Sequence, residues 1–204
     1  THDKQYGQIG VCGSCGARMA IPASQWIELL FDSDSFDEEF AGLITPDPLH
    51  FSDSRPYPER IEEAREKSGG DEAVVTGTAR IGGIDVVVAV SDFRFIGGSM
   101  GYVYGERVAT AMDLALRAGR PFVALTCSGG ARMQEGMIAL IQMSKTAAAA
   151  QRLHEAGIPM ITILGDPTTG GVYASYGSQG DVIIAEDEAL IGFAGPRVRA
   201  VKDD

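Results

Sequence analysis

The chain has few of the residues that several kinds of chemistry depend on. Only three cysteines occur in 204 residues. Cys12 and Cys15 form one C-x-x-C, and Cys127 stands in an apolar run. No disulfide framework can be built from that set, and the expectation is a reducing, cytoplasmic compartment. Histidine is equally scarce, with only His2, His50 and His154. Basic residues are outnumbered, 17 Lys and Arg against 28 Asp and Glu, for a formal charge of -11. Such a chain repels a phosphate backbone, and no run of Lys and Arg offsets this locally, so nucleic acid is not an expected partner. Long apolar runs are missing too. No stretch approaches the roughly 20 residues that cross a bilayer, and residues 1–5 lack the charged-then-apolar pattern of a signal peptide. A membrane is therefore not expected either.

The chain does have glycine, 26 in all, and a hydrophobic content of 45%, enough for one substantial core. Three textures follow one another. Residues 1–21 are Gly-rich and carry the C-x-x-C. Residues 22–70 are polar and acidic, with helical patterns at 23–30 and 57–67, and with Pro46, Pro48, Pro56 and Pro58 punctuating loops over 32–39 and 45–58. Residues 71–204 form the main domain. There, 73–80 and 84–90 are β-branched runs around Gly82-Gly83, which predicts a hairpin. Residues 102–118 predict a helix with Tyr104, Val108, Met112 and Leu116 on one face, stopped by Gly119. Strands are expected at 121–127, 159–164, 182–185 and 189–192. An Ala-rich helix is expected over 134–156, and a short one from Gly171. Strands alternating with helices imply a mainly parallel α/β sheet. Two strands followed by a helix form a ββα unit, but periodicity does not separate a spiral of such units from an open doubly wound sheet.

The informative glycines follow strands. Gly129-Gly130 comes after the strand ending at Cys127, and Gly170-Gly171 follows the strand ending at Leu164; each pair is expected to open a helix. Backbone N–H groups at such a position have no internal partner, and a missing side chain lets a ligand carbonyl approach them. Two such loops side by side would form an oxyanion hole for a thioester.

The residues of these loops also carry a resemblance. Residues 95–101 read FIGGSMG, 128–136 SGGARMQEG, 166–172 DPTTGGV and 191–198 IGFAGPRV, in that order along the chain, with FSDS and Tyr57 further upstream. This pattern resembles biotin-dependent acyl-CoA carboxyltransferases of the acetyl-CoA carboxylase β-subunit type over nearly the whole chain. The resemblance implies a crotonase-like (ClpP/crotonase) spiral of ββα units with a partial zinc-ribbon-like segment ahead of it. It implies transfer of carboxylate from carboxybiotin to acetyl-CoA, giving malonyl-CoA for fatty acid synthesis within an ATP-dependent holoenzyme. The biotin would ride on a biotin carboxyl carrier protein and would itself accept the proton, so no side-chain base is needed. A carboxyltransferase α subunit would supply the facing half of the site in an α2β2 hetero-oligomer.

Residue by residue, the resemblance gives Gly129, Gly130, Gly170 and Gly171 the oxyanion role. It makes Gly97, Gly98, Ser99, Met100, Ala131, Arg132, Phe193 and Gly195 an acyl-CoA-binding set. Cys12 and Cys15 match the second pair of a four-cysteine zinc ribbon whose first pair is not in this sequence, so zinc would need two further ligands. Helices beyond residue 204 are expected as well.

Three other readings use the same residues. Gly97-Gly98-Ser99-Met100-Gly101 fits G-x-S-x-G, the nucleophile elbow of a serine hydrolase, but only His154 lies downstream to complete a triad. A binding module on an idle scaffold would need no chemistry at all. A different acyl-CoA carboxyltransferase or decarboxylase of specialised metabolism would keep the enolate chemistry and change the substrate.

Overall fold

Alternation of apolar side chains along two central strands sets the architecture. Val86, Val88 and Val90 face one way and Val87 and Ala89 the other, and on the next strand Val123, Leu125 and Cys127 oppose Phe122 and Ala124. All are buried, because helices cover both faces of the sheet. A computed structural model describes residues 10–193, apart from 13, 15 and 17. In it α1 (Ala23–Leu30) is followed by β1 (Asp37–Glu39), α2 (Tyr57–Ser68), β2 (Val74–Ile81) and β3 (Ile84–Ser91). Then come α3 (Tyr102–Ala118), β4 (Phe122–Ser128), α4 (Gly136–Glu155) and β5 (Met160–Thr169). The short α5 (Gly170–Val172) runs into a π-helical turn over Tyr173–Gly177, and β6 (Val182–Ala185) and β7 (Ile191–Gly192) follow.

The sheet is mixed, in the order β1-β2-β3-β4-β5-β6, with β7 beside the end of β5. The first three strands are antiparallel neighbours, and β3 through β6 run parallel. Gly82 and Gly83 join β2 to β3 with φ of 57° and 80°, the left-handed pair that a two-residue hairpin needs. On α3, Tyr104, Val108 and Met112 are fully buried at i, i+4 spacing, while Leu116 is only partly covered. Gly119 caps that helix at φ 63°.

Residues 22–70, expected as a connecting region, build directly onto the sheet. One core cluster takes Ala23 and Phe31 from α1 and its end, the other Tyr57, Ile61 and Ala64 from α2. The start of α1 is held by Asp92 at the end of β3, whose Oδ2 accepts the Ala23 amide at 3.1 Å.

Three local expectations change. The loop expected over 32–39 ends in β1, which pairs with β2 where Gly77 leaves room: a Cβ there would meet the Asp37 carbonyl. The loop expected over 166–169 continues β5, since Thr168 and Thr169 pair with Ile191 and Gly192. The Ala-rich helix starts at Gly136 rather than 134, after a 3-10 turn over Met133–Glu135, so Gly129-Gly130 does not open it directly. Among the described residues no helix is long and apolar enough to cross a membrane.

Candidate active site

The parallel strands β3, β4 and β5 end near one another, and each delivers a turn at its C-terminal end, where α/β sheets place their ligand sites. After β3 comes the turn through Gly97, Gly98, Ser99 and Met100. After β4 comes Gly129 to Glu135, and after β5 Gly170-Gly171.

The second and third turns touch backbone to backbone. A Cβ built on Gly130 would lie 3.2 Å from Gly170 Cα and 3.2 Å from Gly171 N; one on Gly170 would lie 3.0 Å from Gly130 Cα. Both glycines also have left-handed φ, 113° and 58°. The first turn is packed as tightly, for a Cβ on Gly98 would fall 1.9 Å from the Cys127 carbonyl oxygen.

Hydrogen bonds decide which amides this junction offers. The Gly129 N–H donates to the Gly97 carbonyl at 2.9 Å, and the Gly130 N–H to Ser128 Oγ at 3.0 Å. Both donors expected from this pair are therefore already spent on the fold. Ala131 takes their place. Met100 forms a parallel bridge with it, the Met100 N–H donating to Gly130 O at 2.8 Å and the Arg132 N–H to Met100 O at 2.9 Å. Successive amides of extended chain point to opposite sides, so the Ala131 N–H points away from Met100, and its nitrogen lies 3.3 Å from where a Gly171 Cβ would be. The amides of Ala131 and Gly171 have no hydrogen-bond partner among the described residues, whereas the parallel pairing of Thr169 with Gly192 directs the Gly170 N–H to the Gly192 carbonyl, so that expected donor is spent as well. Hydroxyls fix the strands beneath: Thr169 Oγ1 donates to Ser128 O at 3.2 Å, and Thr168 Oγ1 to Thr126 O at 2.6 Å.

Under the turns lies a wholly buried polar cluster. The Arg132 guanidinium donates to Ser99 O at 2.7 Å, to Tyr57 Oη at 3.2 Å and to both oxygens of Glu72. Arg132, expected to contact substrate, is completely covered, and so is Met100; both form the floor rather than the lining. Burial by itself would raise the Glu72 pKa, but the Arg132 charge and hydrogen bonds outweigh it and hold the carboxyl below its ordinary value. Burial pushes the Tyr57 phenol far above its usual value, so it stays a donor to Glu135 at 2.6 Å. Glu135 immediately precedes α4, and its Oε2 accepts the first amide of α3, that of Tyr102, at 2.5 Å. Its charge thus sits at the positive ends of two helices as well as 3.4 Å from Arg132. A second buried chain, Ser91–Tyr104–Tyr176 with oxygens 2.6 and 2.7 Å apart, ties the π-helical turn after Gly171 to α3.

The remaining expected residues separate clearly. Phe193 follows Gly192, which pairs with Thr169, so it stands beside Gly170; it is 71% exposed. Gly195 and Cys15 lie outside the described residues. Ser99 donates its hydroxyl to Ile96 O at 2.7 Å and accepts from Arg132 Nε at 3.3 Å. His154 lies near the far end of α4, which rises about 30 Å over its 20 residues. No serine triad can form across that length. A tetrahedral zinc takes four ligands. Cys127 is buried in β4, and among the described residues no cluster of three or more His, Cys, Asp or Glu is placed to hold a metal. Cys12 and Cys15 would supply two of the four ligands, Cys15 lies outside the described residues, and no step is assigned to a metal.

Glu72 and Tyr176 carried no signal in the sequence, while Tyr57 stood out only within the resemblance and Tyr104 only as part of a helix face. The four are brought together from α2, the link before β2, α3 and the π-helical turn, which no local spacing foretells. Thr168 and Thr169 were legible only as polar residues preceding a glycine pair.

Comparison with known proteins identifies the family. The carboxyl transferase domain model matches residues 23–201. The acetyl-coenzyme A carboxylase carboxyl transferase subunit beta of Citrifermentans bemidjiense is 47% identical over 190 residues, covering 93% of this chain and 67% of that protein. Its counterpart from Chlorobaculum tepidum is 46% identical over 198 residues, covering 97% and 71%. Among solved structures, transcarboxylase 12S with hydrolysed methylmalonyl-coenzyme A bound superposes with a TM-score of 0.74 at 31% identity, over 91% of this chain and 34% of that one. The family model and these relatives make the chain a carboxyltransferase. The chain belongs to the carboxyl transferase domain family, among the acetyl-CoA carboxylase β-subunit type, and spans about two thirds of those curated relatives and a third of the transcarboxylase chain.

Proposed function

We propose that this chain is the acyl-CoA half of an acetyl-CoA carboxylase carboxyltransferase, moving carboxylate from carboxybiotin to acetyl-CoA to give malonyl-CoA. The observation that carries the reading is the Gly130–Gly170 contact, which sets the Ala131 and Gly171 amides next to each other with no acceptor among the described residues.

In this reading the acetyl thioester oxygen takes the place of the missing acceptor. Both amides hydrogen-bond to it, and they bind it more strongly as the α-carbon loses its proton and charge moves onto oxygen. A donor of this kind is worth about 3–4 kcal/mol in the transition state. With the N–C bond of carboxybiotin broken first, the freed biotin nitrogen would take the α-proton, the enolate carbon held at these amides would form its C–C bond to the released CO2, and the thioester oxygen would return to a carbonyl. Biotin, when delivered on its carrier, supplies both the carboxylate and the base. That suits the residues present, since the neighbouring carboxylates Glu72 and Glu135 are buried and committed to Arg132. Gly97, Gly98, Ser99 and Phe193 edge the acyl-CoA site, with Gly195 beyond the described residues.

The partner is a carboxyltransferase α subunit that closes the site in an α2β2 assembly, with a biotin carboxyl carrier protein reaching it in the cytoplasm. The exposed Met133 (66%), Met137 (68%) and Ile141 (58%) beside the Gly129 turn support a covered face there. The fold is a crotonase-like spiral, for which β2, β3 and α3 form one ββα unit. A zinc ribbon over 1–21 would require two ligands beyond Cys12 and Cys15 and has no part in the chemistry.

The test is carboxyl exchange between malonyl-CoA and biocytin, run on the full-length protein with its α partner. Partner-dependent formation of acetyl-CoA is the expected result. A stable complex that produces none overturns the reading.

A further inference from the structure

We infer that Arg132 is a positioning residue that aims the Ala131 amide, and that it does not bind the substrate. The inference rests on the carboxyltransferase reading above and deepens it. Arg132 has no exposed surface, so no acyl-CoA atom reaches its guanidinium in this fold. What it does reach is the backbone around one amide. Its side chain holds Ser99 O at 2.7 Å, and its own N–H holds Met100 O at 2.9 Å, while the Met100 N–H returns to Gly130 O at 2.8 Å. These three bonds pin the peptides on both sides of the Ala131 N–H, which leaves that amide one direction to point.

The remaining contacts stop the guanidinium from turning. Glu72 takes it on two nitrogens, and Tyr57 Oη accepts at 3.2 Å while donating to Glu135. A buried ion pair adds little net stability over an apolar pair of the same volume, because desolvation offsets most of the attraction. Its distinctive contribution here is orientation: a planar fork fixes the carboxylate and the Ser99 carbonyl at once, which a lysine ammonium cannot do.

The distinguishing experiment uses Arg132→Lys in the full-length protein with its partner, and Tyr57→Phe as a milder second variant. Three quantities are read for each: kcat and KM of the exchange, the Kd for acetyl-CoA, and the infrared carbonyl stretch of bound [1-13C]acetyl-CoA. The expected result is a kcat at least tenfold lower for Arg132→Lys, with Kd within about twofold and the carbonyl stretch moved back toward that of free thioester. Tyr57→Phe should move the stretch the same way by less. Should Arg132→Lys fail to fold, Tyr57→Phe decides alone. A tenfold weaker Kd with the wild-type stretch kept would make Arg132 a substrate ligand and overturn the inference. So would a folded variant whose kcat and stretch are both unchanged. Failure of wild-type exchange is a separate outcome that strikes the proposed reaction, because the stretch is read from binding alone.

Discussion

Gly130 and Gly170 lie so close that a side chain on either would push the other turn away: a Cβ on either would come within 3.0–3.2 Å of the other's Cα. This one contact joins the turn after β4 to the turn after β5 and thereby sets the Ala131 and Gly171 amides together. Gly130→Ala and Gly170→Ala should each lose about 1–3 kcal/mol of stability, from the left-handed φ and from the contact. Exchange activity should fall about 10²-fold or more as the amides move apart. Gly82→Ala is the control, since its φ is 57° but a Cβ there meets nothing. It should lose stability and keep its kcat, as thermal unfolding and steady-state kinetics on the three variants will report.

Ser99→Ala separates the carboxyltransferase from a serine hydrolase. Its hydroxyl bonds to Ile96 O and Arg132 Nε, so removal should lower stability by about 1 kcal/mol and leave kcat within an order of magnitude. Removing a true nucleophile costs about 10⁶ in kcat. A fluorophosphonate should leave Ser99 unlabelled in the intact protein, checked by peptide mass.

Cys127 should be inert. It is 5% exposed in β4, and burial pushes its thiol up to about 12, with nearby carboxylates adding to the shift. Iodoacetamide at pH 8 should leave the Cys127 peptide unmodified in folded protein and alkylate it after denaturation. Rapid labelling of the native chain would contradict the burial.

Glu72 predicts the acid limit. Its folded pKa lies below the ordinary carboxylate value, so the stability it contributes is present above that ordinary value and is lost as pH falls through the folded one. Calorimetry from pH 6 to pH 3 should show the unfolding temperature dropping. In Glu72→Gln the neutral-pH stability should fall by about 3–5 kcal/mol, because Arg132 loses its main counter-charge, and the acid drop should shrink. An unchanged pH profile in that variant would assign the acid sensitivity elsewhere.

Much of this was legible in the residues. The β-branched run 84–90 marked β3, and its neighbour made the hairpin through Gly82-Gly83; Tyr104, Val108 and Met112 marked the buried face of α3. The two glycine pairs marked the turns after β4 and β5, which the fold brings into contact. Which amides they free was not legible, because that depends on partners such as Gly97 O and Ser128 Oγ that only the folded turns bring close. The resemblance put Arg132 in the acyl-CoA-binding set, but in the fold it is ion-paired with Glu72, sixty residues earlier, a partner no local pattern names. β1 escaped for a similar reason: Asp37–Glu39 has no strand propensity of its own and pairs only because Gly77 lets it approach.

The most direct measurement replaces the amides themselves. Lactic acid incorporated in place of Ala131, and glycolic acid in place of Gly171, each exchange one N–H for an ester oxygen with little change of shape. The account predicts that either replacement, in the full-length protein with its partner, lowers kcat for malonyl-CoA exchange about 10²–10³-fold with KM little changed. Wild-type kcat in both esters would contradict it.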